Sequence, residues 1–167
     1  MAKKRWLAAY VKMHHEKKVR DRLTAMGIHN FLPVQEEVRQ WSDRKKKVER
    51  VLIPMMIFVR VDTEEQRSVI THPSIIHYLT LRGEHSPTEI PADQMDRFRF
   101  MLDHSDSAVS FSDNDLQPGE KVRVIKGPLT GLEGELITVE GKYRIIIRIE
   151  QLGCAEVEIS LSMVEKT

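Results

Sequence analysis

Nine consecutive residues, Val51–Val59 (VLIPMMIFV), carry neither charge nor hydroxyl, and Val51, Ile53, Ile57 and Val59 are β-branched. β-Branched side chains suit a pleated backbone, so the run reads as a strand. Alternation gives it two faces, one with Ile53, Met55, Ile57, Val59 and Val61, the other with Leu52, Pro54, Met56 and Phe58 before Arg60. Two readings follow. The Met56 and Phe58 face is an outward apolar docking patch, as the terminating charge suggests, or the strand is central and buried on both sides. Pro54 lacks an N–H for a sheet ladder and belongs at an edge, a strand start or a bulge.

The remaining periodicities place elements around this strand. Trp6–Val11 reads as a first strand. His15–Met26 reads as a helix with Val19, Leu23 and Met26 on its buried stripe and Gly27 at its C-terminal cap. Asn30–Trp41 reads as one long strand, Ser42–Lys47 as a cationic turn, and Val48 leads into the core strand, making a long hairpin. Thr63 is expected to cap a second helix that Pro73 stops. Ile75–Leu81 reads as a strand, and Pro91 opens a third helix with Met95, Phe98 and Leu102 inward. The order β-α-β-β-α-β-α is the split βαβ, ferredoxin-like arrangement, with helices on one face of an antiparallel sheet. The Ser- and Asp-rich stretch that follows reads as a flexible linker. Beyond Leu116, Glu120–Lys126, Leu132–Val139, Tyr143–Glu150 and Ala155–Leu161 are short strands with glycine turns, the pattern of a small β-barrel. The domains are therefore expected at 1–104 and 116–167, with the linker at 105–115.

The net charge of +1 over 167 residues conceals a gradient. Residues 1–50 hold 14 Lys and Arg against 6 Asp and Glu, whereas 51–115 hold 5 against 11 and 116–167 hold 7 against 8. A basic end on a near-neutral chain points to a local polyanion contact. Lys12, Lys18 and Arg22, with Arg44, Lys45, Lys46 and Lys47 of the hairpin tip, are the candidate phosphate contacts, and Trp41 is placed to stack on a base or to pack across the hairpin. Cys154 is the one cysteine, so no internal disulfide forms, which fits a reducing compartment. No apolar stretch is long enough to cross a membrane, and a soluble, cytoplasmic monomer is expected. No Cys and His spacing suits a metal, no phosphate-binding glycine loop is present, and no nucleophile pairs with a base. Neither catalysis nor a cofactor is expected.

The segment from Pro118 to Gly134 is the most specific. Gly119, Val122, Val124, Gly127, Pro128, Gly131 and Gly134 bracket two strands at fixed spacing, and this is similar to a KOW motif of SH3-like barrels. With Lys3-Lys4-Arg5-Trp6 at the start and Val157–Ile159 through Val164–Lys166 at the end, nearly the whole chain resembles the NusG family, an NGN domain joined to a KOW barrel. Arg39–Arg44 is similar to its UpxY-like antiterminators. The resemblance implies a transcription elongation or antitermination factor. Its NGN domain would dock Ile53, Pro54, Met56 and Phe58 on the β′ clamp helices of RNA polymerase. Its basic residues would lie beside nontemplate DNA. The barrel would take ribosomal protein S10 or Rho through Ile149 and Leu152. The strand departs from the family's Pro-Gly-Tyr, carrying Pro54-Met55-Met56. The alternative is an RNA- or ribosome-binding KOW protein in which the barrel does the work.

Overall fold

The computed structural model describes residues 3–114 and 116–167. The chain divides into two compact units. The first takes the N-terminal segment through Pro33 together with Ile53–Ala92, and the second takes Val34–Leu52 with Asp93–Thr167.

In the first unit, β1 (Arg5–Val11), β2 (His29–Phe31), β5 (Met56–Val61), β6 (Ile75–Tyr78) and β7 (Glu89–Ile90) form an antiparallel sheet. The order is β2-β5-β1-β6, with β7 also pairing β1. That is the strand order of the ferredoxin-like split βαβ. Directly paired residues share a face, so the register Arg5↔Val61, Leu7↔Val59, Ala9↔Ile57 defines one side of the sheet. Helices α1 (Glu16–Ala25) and α2 (Thr63–Ile70) pack on β5, and their Val19, Leu23 and Val69 are fully buried. Tyr78, opposite Ala9, donates its hydroxyl to the Gln66 carbonyl at 2.7 Å, which fixes α2 to this same face.

The N-cap of α2 differs from the expected Thr63. Asp62 accepts from the Glu65 N–H at 2.9 Å while the Glu65 carboxylate accepts from the Asp62 N–H at 3.2 Å, a reciprocal capping box. Thr63 is instead the first helical residue.

The Val51–Val59 run is not one strand. β4 (Lys45–Val51) ends at Val51 and β5 begins at Met56. Between them Met55 adopts φ 65°, in the left-handed region, so the alternation of faces does not carry across. Likewise Asn30–Trp41 is two strands, β2 and β3 (Val34–Gln40), because Pro33 withholds an N–H from the ladder.

In the second unit β3 and β4 pair as an antiparallel hairpin from Val34↔Val51 to Gln40↔Lys45. Its turn is shorter than read from sequence. Trp41 N–H donates to the Arg44 carbonyl at 2.7 Å, leaving Lys45, Lys46 and Lys47 on the strand. Helix α3 spans Ala92–His104, with Pro91 immediately before it. The all-β portion contains β8 (Ser110–Ser112), β9 (Glu120–Val124), β10 (Glu133–Val139), β11 (Lys142–Ile149), β12 (Gly153–Glu158) and β13 (Val164–Lys166). They run in the order β13-β9-β10-β11-β12-β8 around a core that includes Val122, Val124, Ile145, Ile147, Ala155 and Val157.

Within the stretch read as a linker, β8 pairs with β12 and Phe111 lies 5.9 Å from Phe98. Gln35 donates to the Ser107 carbonyl at 2.8 Å and accepts from the Val109 N–H at 2.8 Å, as a neighbouring strand would. Arg50 adds a 2.6 Å bond to the Val109 carbonyl. Much of the described part of this stretch is therefore hydrogen-bonded structure; its last residue, Asp115, lies outside the described residues.

Candidate functional site

Three groups of candidate residues are on view, each within one unit. The first surrounds the start of β5. Met56 and Phe58 share a face with Ala8, Tyr10 and Phe31, and Phe58 stacks on Phe31 at 6.2 Å. Trp6 meets His29 at 5.1 Å and Tyr10 meets His77 at 4.9 Å on this side of the sheet, making it aromatic. The expected outward placement does not hold for its central members. Met56 is 4% exposed and Phe58 0%. Strand β5 is buried along both faces as far as Arg60, because it lies between β1 and β2 in the middle of its sheet. The accessible apolar residues are those before the strand, with Pro54 exposed and Ile53 and Met55 half-buried.

The second group is cationic. Lys12, Lys18 and Arg22 are exposed. The structure adds residues that spacing did not reveal. Lys12 N–H donates to the Ser74 carbonyl at 2.9 Å, His15 Nδ1 lies 2.8 Å from Ser74 Oγ, and the Ser74 N–H donates to His72 Nδ1 at 3.0 Å. These bonds tie the entry to α1 to the loop after α2. Partial burial, together with the charges of Arg22, Lys18 and His15, lowers the pKa of His72 from its ordinary 6.5. That electrostatic coupling shows Lys18 and Arg22 to be near His72. His72-Pro73-Ser74 carries no periodic signal, so only the fold brings it to the patch.

The hairpin tip holds a further set of cations. Arg44, Lys45, Lys46 and Lys47 are exposed, and Trp41 is 52% exposed with Lys46 Nζ 5.6 Å from its ring centroid. The Lys46 ammonium thus lies against the ring of an exposed indole.

The third group belongs to the β unit. Val122 and Val124 are core residues, and Gly127 and Gly131 have φ 87° and 97° in the turn after β9. The turn is closed by Gly131 N–H to the Val124 carbonyl at 2.8 Å and by Thr130 Oγ1 to the Gly127 carbonyl at 2.7 Å, with Pro128 between them. Gly119 and Gly134 serve close approach. A Cβ on Gly119 would collide with the Leu136 carbonyl oxygen, and one on Gly134 would lie 2.7 Å from that of Ile146. The expected partner loop is corrected at one position. Ile149 is 1% exposed, its side chain in the core at the end of β11, whereas Leu152 remains half-buried in the following turn.

No group of three or more His, Cys, Asp or Glu among the described residues could hold a metal ion. No helix among them is long and apolar enough to cross a membrane.

A split βαβ sheet with a basic patch and a lysine-rich hairpin, followed by a small all-β portion, defines a two-part α+β protein with exposed cationic surfaces. Comparison with known proteins gives the rest. Residues 4–99, more than half of the chain, match the family model described as transcription termination factor NusG, and the chain belongs to that family. It is 25% identical to the transcription termination/antitermination protein NusG of Staphylococcus carnosus (strain TM300), over 98% of this chain and 96% of that protein. With the protein of the same name from Pasteurella multocida (strain Pm70) it shares 26% identity, over 96% and 85% respectively. Its fold matches the structure described as "Domain interaction in Thermotoga maritima NusG" with a TM-score of 0.54 at 19% identity, over 98% of this chain and 97% of that one. The chain is thus a transcription termination/antitermination factor, with an α+β N-terminal part and an all-β C-terminal part.

Proposed function

We propose that the protein acts on elongating RNA polymerase, docking the apolar turn at Ile53 and Pro54 on the β′ clamp helices and laying its cationic residues along nontemplate DNA. The observation that carries this is an exposed proline flanked by half-buried Ile53 and Met55 on a rigid support, since β5 begins at the next residue and is buried throughout its apolar length. Met56 and Phe58 then act as the packed floor that fixes the turn. A factor bridging the clamp favours the closed, processive polymerase by its differential affinity for that state. Lys12, Lys18, Arg22 and Arg44–Lys47 supply phosphate contacts, which are sequence-independent and weaken with salt.

Pro54 is the site to test, because Asp at the buried Phe58 would unfold the sheet. Pro54→Asp is expected to abolish co-purification with core polymerase while leaving the melting temperature unchanged. Retained binding with an intact fold excludes this docking site. For the β portion, Leu152 is the apolar residue available to ribosomal protein S10 or Rho in the turn between β11 and β12. Residues 105–115 would let this portion, 116–167, work apart from 1–104 once the bonds to Gln35 and Arg50 and the pairing of β8 with β12 open.

A further inference from the structure

We infer that Met55, half-buried on a left-handed backbone, is a docking contact, and that Glu16 is the positioning residue that fixes it there. The inference rests on the docking reading above and names two residues that reading did not use. Among the described residues, four that are not glycine have positive φ: His14, Met55, Glu140 and Gln151. Glu140 and Gln151 are exposed polar residues in hairpin turns, where this conformation is usual, and His14 is exposed and polar. Met55 is the apolar exception. Left-handed backbone disfavours any residue with a Cβ, and glycine would adopt it without strain.

The turn is clamped from both sides. Met55 N–H donates to Glu16 Oε2 at 3.1 Å, and its carbonyl accepts from the Val11 N–H at 2.9 Å. Glu16 is the buried charged residue among the described ones, 6% exposed. A carboxylate is costly to bury, and this one is stationed in the first turn of α1, where the helix dipole favours negative charge. A buried carboxylate is thus spent on fixing one N–H of a strained residue. The clamp uses only Met55 backbone atoms, and glycine would make the same two bonds without the strain. What methionine adds is a half-exposed, flexible, polarizable thioether beside the exposed Pro54. A residue kept in left-handed backbone by bonds that do not use its side chain points to a role for that side chain beyond the turn. It suits a shallow apolar contact on a helical surface such as the clamp helices.

The test measures binding of the full-length chain and its variants to purified core RNA polymerase, with the melting temperature of each. Met55→Gly is expected to melt at or above the wild-type temperature and to bind about tenfold more weakly, the scale of losing one interface anchor. Glu16→Ala is expected to weaken binding by a similar factor. Glu16→Gln, whose amide oxygen can still accept from Met55 N–H, is expected to restore binding to within about twofold. Wild-type affinity for Met55→Gly overturns the contact, and equal behaviour of Glu16→Ala and Glu16→Gln overturns the positioning role. Pro54→Asp is the control. If it too binds normally, the docking reading itself falls; if it alone loses binding, only the present inference does.

Discussion

Gly131 and Gly134 lie three positions apart and are required for different reasons. Gly131 has φ 97° with open space where a Cβ would go, so alanine there meets only backbone strain, about 1–2 kcal/mol. At Gly134 a Cβ faces backbone on a neighbouring strand, so alanine must push β10 from β11, and it is expected to be the more destabilising of the two. Urea denaturation of the two variants gives the order directly. Sequence spacing marks both glycines; only the structure assigns them their separate reasons.

His72 supplies a pH dependence. Because its folded pKa lies below the ordinary 6.5, the unfolded chain binds its proton first as pH falls. Its contribution to stability is complete above 6.5 and declines below that value. Bound phosphate would favour the charged imidazole, so single-stranded DNA binding is expected to tighten as pH falls from about 7.5 to about 6. His72→Gln should flatten that binding profile, measured by fluorescence anisotropy.

At the level of elements, the helical spacings and glycine turns were legible, and the breaks between strands were less so. Leu32-Pro33 and Ile53–Met55 are apolar, so hydrophobic alternation runs through them without a mark, yet each contains a proline that a ladder cannot use. Reading those prolines as interruptions would have separated β2 from β3 and β4 from β5, and would have shown that Pro54 does not share a strand face with Phe58. The cap of α2 was displaced by one residue because a threonine beside an aspartate offers two plausible caps, and the reciprocal bond with Glu65 selects Asp62. Asp62→Ala is expected to cost about 1 kcal/mol and Thr63→Ala much less, by thermal denaturation. The short β8 was hidden by its Ser-rich composition. Its three pairings with β12 predict that a fragment starting at residue 105 melts above one starting at 116, by circular dichroism.

Across the whole molecule, the charge gradient is readable in the sequence, and the structure shows its hairpin cations exposed. The hairpin lysines are on one strand in sequence, and all three are accessible. Replacing Lys45, Lys46 and Lys47 together by Gln is expected to reduce the slope of log affinity against log salt for single-stranded DNA by about 2. An unchanged slope would remove the hairpin from the DNA contacts. The apolar run Val51–Val59 is plain in the sequence, whereas which of its members are accessible is set by a left-handed residue at Met55 that hydropathy does not encode.

The central pairing of the first sheet joins β1 to β5 across everything synthesised between them. A ribosome delivers the chain from its N-terminus at roughly 5–20 residues per second. The hairpin of β3 and β4 can zip as soon as it emerges, because its partners are near in sequence, while β1 must wait for Val61 to appear. For that interval the nascent chain exposes the apolar β1 strand without its mate, so the hairpin forms ahead of the sheet it precedes.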